Sequence, residues 1–228
     1  MSETSDLAVS PAARAAAPGR PRQRDATATR ERLLDAAEAQ FAARGLAGSR
    51  VDGIARAAGV NVQLIYRYFG DKDSLYRAAF DRVLGRLAAY LAVAPIVFPA
   101  GVDPRLGFAR QVGRYIDFVW DDPAYARMGL WSLAEATDPH GAETGSGHAA
   151  LLVESEASVA AGVAAGVLRP DTTCDMFVAT LIALSMGYYG LIHGGDPGFP
   201  VVDATAGPPR AYLAALVVGA LLGAFGSG

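Results

Sequence analysis

The chain holds a single cysteine, Cys174, so it can form no internal disulfide. Without a second thiol or a histidine at metal-ligand spacing, that residue reads as a small apolar side chain, and a reducing cytoplasm suits it. Histidine is almost as scarce. His140, His148 and His193 are the only three, and no H-E-x-x-H, C-x-x-C, G-x-S-x-G or phosphate-loop pattern accompanies them. No active site, metal or cofactor is therefore expected. His148 reads as a surface residue, and His193, close to Tyr188 and Tyr189, as a core or interface histidine with a ligand cavity as the alternative. Asp121-Asp122 is the nearest thing to a carboxylate pair, but it precedes Pro123 and reads as a helix start. The N-terminus has no apolar stretch of signal-peptide length, so no export signal is read.

Charge is sparse as well: 19% of residues are charged against 52% hydrophobic, which leaves ample material for a core. The formal net charge of -3 averages two unlike parts, since residues 1–90 carry 14 basic against 10 acidic groups and residues 91–228 carry 6 against 13. Phosphate neutralisation dominates nonspecific affinity for nucleic acid, so only the first part suits a polyanion. Residues 1–26 read as a flexible arm. Its Arg14, Arg20, Arg22 and Arg24 suit entry into a minor groove or, equally, a solubilising tail.

What is present is concentrated in one stretch, Gly59 to Lys72. Asn61 is a good N-cap, Gly70-Asp71 ends the run, and the helical period puts Ile65, Tyr68 and Phe69 on one side and Gln63, Tyr66 and Arg67 on the other. An amide, a phenol and a guanidinium are groups that hydrogen-bond base edges and phosphates, although the same pattern also describes a plain solvated helix. The preceding residues favour the first reading. Val51, Ile54, Ala55 and Ala58 recur at helical spacing, and Gly59 supplies a tight turn, which makes a helix-turn-helix. Leu33, Leu34, Ala37 and Phe41 mark one face of a longer helix that closes at Gly45, so three helices can bury a small core together.

Ala36-Ala37 and Phe41 before Arg44-Gly45, Ile54-Ala55, Ala58-Gly59-Val60, Tyr66, Phe69, and Lys72 ahead of Leu75 hold one spacing from Thr29 to Leu75. On these residues the stretch, about a fifth of the chain, resembles the DNA-binding domain of the TetR family of transcriptional regulators. The resemblance implies an all-α fold of about nine helices: a helix-turn-helix domain over 27–72, a connecting helix over 73–93, and an effector-binding and dimerisation domain over 94–228. It implies DNA contacts from Arg50, Asn61, Val62, Gln63, Tyr66 and Arg67, with Lys72 on the phosphate backbone. Arg50 and Gly53 stand where the family commonly has Thr or Ser and an acidic residue, and Leu64 where Thr is frequent.

Beyond the motif, Asp71 is expected to cap a fourth helix that carries Tyr76, Phe80, Val83, Leu87 and Tyr90 on one face. The proline-rich residues 94–104 mark a break. Further helices are expected over 107–121, 123–135, 149–167, 172–192 and 210–225. Met176–Ile192 and Ala211–Gly228 are runs of 17 and 18 uncharged residues, close to a membrane-spanning length. Polar residues inside the first and the lack of basic flanks favour burial in protein and no membrane. The resemblance implies that these two helices form a homodimer as a four-helix bundle, with Gly187, Gly219 and Leu222 at the interface. It also implies an effector pocket, whose candidate wall residues are Phe108, Tyr115, Phe118, Met128, Trp131, Tyr188, Tyr189 and His193. With so few basic groups there, the effector is expected to be apolar or aromatic, and neutral or cationic. The function expected is repression from an inverted-repeat operator in double-stranded DNA until the effector releases it. An activator or ligand-independent regulator of the same fold, and a helical enzyme or lipid-binding protein, are the alternatives.

Overall fold

The computed structural model describes residues 21–96, 98, 100–135, 145–193 and 210–225. Among these the extended regular elements are α-helices: α1 Pro21–Gly48, α2 Val51–Ala57, α3 Gln63–Phe69, α4 Lys72–Ala92, α5 Pro104–Asp121, α6 Pro123–Ala134, α7 Ser146–Ala164, α8 Cys174–His193 and α9 Arg210–Phe225. Helix α1 begins at Pro21 rather than near Thr27, so Arg22 and Arg24 belong to its first turn and not to an arm. Arg14, Arg20 and His140 lie outside the described residues.

Helices α1 to α3, closed by the first turns of α4, form a compact head. Leu33, Leu34, Ala37 and Phe41 of α1, Ile54 and Ala55 of α2, Ile65 of α3, and Leu75 and Tyr76 of α4 are all buried together. Phe41 meets Tyr76 edge-on, with ring centroids 5.0 Å apart. The face expected from the 3.6-residue period is thus the face that packs. Two glycines make the sharp turns possible. Gly59, at φ +66, reverses the chain between α2 and α3; Gly45 adopts φ 68 and ψ -176, a region almost reserved for glycine, and ends the straight part of α1.

Helix α4 joins the head to the body. Its side chain cap is as expected, with Asp71 Oδ1 accepting from Ser74 N at 2.6 Å, and hydrogen bonding to that backbone N–H holds the Asp71 carboxyl below its ordinary range. The body is a bundle in which α7 lies along α4, α6 along α1, and α9 against α5 and α8. Two arginines of α4 tie the parts together. Arg82 bonds Glu31, Asp35 and Glu38, one acidic face of α1, while Arg86 reaches Glu38 at 3.1 Å and Asp122 at 2.9 Å. Asp122 in turn caps α6 by accepting from Tyr125 N at 3.0 Å, the helix-start role expected of it. Arg210 fastens α9 to α5 through Asp121 at 2.7 Å.

Of the two uncharged helices, α8 alone among the described residues is long and apolar enough to cross a membrane. It is a bundle element, buried at Phe177, Ser185, Met186 and Tyr189. His148, expected at the surface, is half-buried where α7 starts, and its backbone N–H donates to Asp81 Oδ1 at 2.9 Å. Asp81 of α4 therefore caps α7 across the bundle.

Candidate DNA-reading surface and interior cavity

Helix α3 is held by its apolar side. Ile65 is fully buried, Leu64, Tyr68 and Phe69 pack partly against the core, and the guanidinium of Arg30 sits over the Phe69 ring at 5.2 Å. Leu64 thus packs where a threonine would offer a hydroxyl. Asn61 accepts from Gln63 N at 2.8 Å through Oδ1, so it caps the helix from two residues before its first full turn. The opposite side is open: Asn61, Gln63, Tyr66 and Arg67 are exposed, Tyr66 at 51%. Val62 is half-buried.

Two of the expected DNA-contacting residues behave differently. Arg50 occupies the N-cap position of α2 without a side-chain cap bond, and it is exposed. A Ser or Thr there would spend its hydroxyl on the helix; Arg50 leaves the guanidinium outward. Lys72 Nζ donates to Leu46 O at 2.8 Å and Ser49 O at 3.2 Å, so the ammonium braces the turn between α1 and α2. An ammonium has three donors, and one remains for a phosphate.

A second brace on that turn comes from the body. Glu135, just past α6, accepts from Leu46 N at 2.9 Å and Ala47 N at 3.2 Å. Periodicity carries no signal for such a contact, because it joins residues 89 and 88 positions apart.

Inside the body a cavity of about 70 Å³ is bounded by Leu87 and Leu91 of α4, Phe108, Gln111, Val112 and Tyr115 of α5, Tyr125, residues of α7, and Phe177 and Leu181 of α8. Through shared walls at Tyr125, Leu151, Ser155, Val178 and Ile182 it adjoins a wider cleft of about 300 Å³ beside Phe80, Ser132 and Met186. Tyr115 and Tyr125 oppose their hydroxyls at 3.0 Å, with Ser185 Oγ 3.3 Å from Tyr115. Burial pushes both phenols up. Bonds from Ser185 and Tyr125 offset part of this at Tyr115, whereas its neighbour Tyr115 raises Tyr125 further.

The expected pocket wall divides into three groups. Phe108 and Tyr115 line the cavity. Trp131, Tyr189 and His193 line a different cleft of about 370 Å³, between the end of α1, α6 and α8. There the His193 imidazole is held below its ordinary value by burial and by Arg127, and it lies 4.3 Å from the Tyr189 ring. Phe118, Met128 and Tyr188 line neither: Phe118 packs 5.5 Å from both Tyr90 and Tyr125, Met128 is fully buried, and Tyr188 lies against Trp120. The polar members Gln111, Glu154, Ser155 and Ser158 were not foreseen, although Leu151, Glu154, Ser155 and Ser158 recur at i, i+3, i+4 and i+7 on α7.

A head that offers an exposed second helix of a helix-turn-helix, mounted on a helical body with an interior cavity, defines a DNA-binding regulator of the helix-turn-helix class. Residues 33–79 match the family model described as bacterial regulatory proteins, tetR family. The chain is 31% identical over 185 residues to the HTH-type transcriptional repressor SCO4008 of Streptomyces coelicolor, covering 77% of this chain and 89% of that protein. The fold is also that of FadR from Bacillus subtilis, solved in complex with stearoyl-CoA (TM-score 0.62, 16% identity, 84% of this chain and 97% of that one). SmeT, the repressor of the Stenotrophomonas maltophilia efflux pump SmeDEF, shares it as well (TM-score 0.58, 20% identity, 89% and 92%). The chain belongs to the TetR family of bacterial regulatory proteins. It is a DNA-binding transcriptional regulator, and the alternative of a helical enzyme is set aside by that membership.

Proposed function

We propose that this regulator is a homodimeric repressor, which grips an inverted-repeat operator with two copies of α3 and leaves it when a small, largely apolar effector fills the cavity among α4 to α8. The observation that carries the operator reading is the open side of α3: the side chains of Gln63 and Arg67 are exposed and make no hydrogen bond or ion pair among the described residues, while Ile65 locks the opposite side. Asn61, Val62 and Tyr66 flank them, and Arg50 and Lys72 supply charge for the phosphates at the edges.

Pairing through α8 and α9 is supported by an unpartnered apolar stripe. Met176, Leu191, Tyr212 and Leu216 are exposed, and a Cβ built on Gly187, Gly219 or Gly223 meets nothing within 4 Å. A second copy of this face would cover it, with the glycines admitting close backbone approach and Leu222, half-buried, completing the contact. The cavity supports the effector reading because Leu87 and Leu91 of α4 form one wall, so filling it bears directly on the helix that carries the head. That SCO4008 and SmeT are repressors, and that FadR was solved with stearoyl-CoA, agrees with both halves.

Selection of bound duplexes from a random pool tests the reading: recovered sequences should share two inverted half-sites about one helical turn apart. A pool without enrichment, or with single half-sites only, would defeat it.

A further inference from the structure

Helix α7 turns a mixed face inward: Glu154, Ser155 and Ser158 line the cavity beside Leu151, while Val159 of the same helix is buried and Val153 is 65% exposed. A bundle helix ordinarily turns an apolar stripe inward, so three polar residues on this one call for a polar occupant. Apart from Gln111 and the Tyr115 and Tyr125 phenols, the other walls are apolar: Leu87, Leu91, Phe108, Val112, Phe177 and Leu181. Neither the cavity nor the adjoining cleft has a lysine or arginine in its lining. Arg82 and Arg86 of α4 are engaged on the carboxylates of α1 and on Asp122, and Arg114 of α5 on Tyr90 O and over the Tyr90 ring. Glu154 therefore stands half-buried at the wall without a hydrogen bond or ion pair among the described residues. A carboxylate at an apolar wall is costly unless something positive meets it.

We infer that Glu154 is the counter-ion for the effector, and that the effector class is a hydrophobic monocation: an amine or ammonium head on an aliphatic or aromatic body. The inference rests on reading this cavity as the effector site. The body of such a ligand lies between Phe108 and Phe177, whose centroids are 5.8 Å apart, and the wall of α4, while its head reaches Glu154, with Gln111, Ser155 and Ser158 as neutral acceptors around it. An anionic head finds no lysine or arginine there, His148 in the adjoining cleft being the one imidazole, and a neutral head leaves the carboxylate unpaired.

The test uses a matched series on the full-length protein: 4-phenylbutylamine, 4-phenylbutanol and 4-phenylbutyrate, titrated calorimetrically, with operator release followed separately by fluorescence anisotropy. A charge-assisted hydrogen bond predicts that the amine binds about ten- to a hundredfold more tightly than the alcohol, with the butyrate weakest. Glu154→Gln should abolish the preference while retaining the helical circular-dichroism spectrum. Glu156→Gln, an exposed neighbour outside the cavity wall, should keep the preference. Equal affinity for amine and alcohol, a preference that survives Glu154→Gln, or no amine binding at millimolar concentration would each overturn the inference. Failure of the effector reading looks different: Glu154-dependent amine binding that leaves the operator bound would refute release by this site and uphold the ligand class. Release by the alcohol as readily as by the amine would do the reverse.

Discussion

Lys72 is the only lysine in the chain, and its position shows how one side chain serves two ends. It starts α4, yet its ammonium bonds two carbonyls of the turn between α1 and α2, so it positions the head before any DNA is present. Lys72→Ala should therefore lower the melting temperature and weaken specific and random duplexes alike. Gln63 and Arg67 have no such internal duty. Replacing either with Ala should leave the melting temperature within error and cost about 1–3 kcal/mol on the operator only, if the side chain reads a base edge. Anisotropy on operator and random duplexes, paired with thermal melting, separates the two behaviours; equal losses on both DNAs for Arg67→Ala would assign it to the backbone instead. The face that holds Gln63, Tyr66 and Arg67 was legible in the sequence because helical periodicity sorts side chains whatever the rest of the chain does. The bracing role of Lys72 was not, since its partners lie 26 and 23 residues away.

Between elements, two junctions join head and body. At the first, Arg82 and Arg86 converge on Glu38, whose side chain is only 10% exposed. Burial opposes the charge on the Arg82 guanidinium, but bonds to Glu38, Asp35 and Glu31 outweigh it and hold the group above its ordinary value, so Arg82 stays charged. Arg82→Ala leaves Glu38 with Arg86 alone and should cost roughly 3 kcal/mol of stability, read by denaturant unfolding. A loss below about 0.5 kcal/mol would mean that the network is solvated in solution. At the second, Gly45 has no room for a side chain: a Cβ would lie 2.3 Å from Glu135 Oε1 and 3.0 Å from Trp131 Cδ2, at a φ of +68. Gly45→Ala should destabilise by about 1–3 kcal/mol from the backbone alone. Unchanged stability by differential scanning calorimetry would show that the backbone at Gly45 leaves the left-handed region at little cost. Capping residues such as Asp71 and Asp122 could be read locally because a cap lies within three residues of the N–H it satisfies. The role of the Glu135 carboxylate could not, because the N–H groups it accepts from lie 89 and 88 residues away.

For the whole molecule, the proposed dimer makes the sharpest demand. Gly219→Glu adds a charge to a face that touches nothing in the protomer, so the isolated fold should keep its melting cooperativity while sedimentation shows monomers and operator affinity collapses. A wild-type protein that sediments as a soluble monomer at micromolar concentration would refute pairing through α8 and α9. Linkage sets a second demand: if an effector weakens operator binding by some factor, bound operator must weaken effector binding by the same factor. Calorimetry that gives one effector affinity with and without operator would rule out release through the cavity.

The sequence alone determined the helix-turn-helix, its polar face, most helix boundaries within a few residues, and the uneven charge of the two parts. Each of these is a matter of period, cap or composition, and needs no knowledge of what lies across the core. Only the tertiary structure decided which aromatic residues enclose space: Phe108 and Tyr115 do, whereas Phe118 and Met128, of the same chemistry, are solid core. A cavity wall and a packed core are made from identical side chains, and the difference is the void left where α4, α5, α7 and α8 fail to close. The polar face of α7 belongs to both levels, since its spacing is written in the chain but only the packing of α7 along α4 turns it toward the cavity.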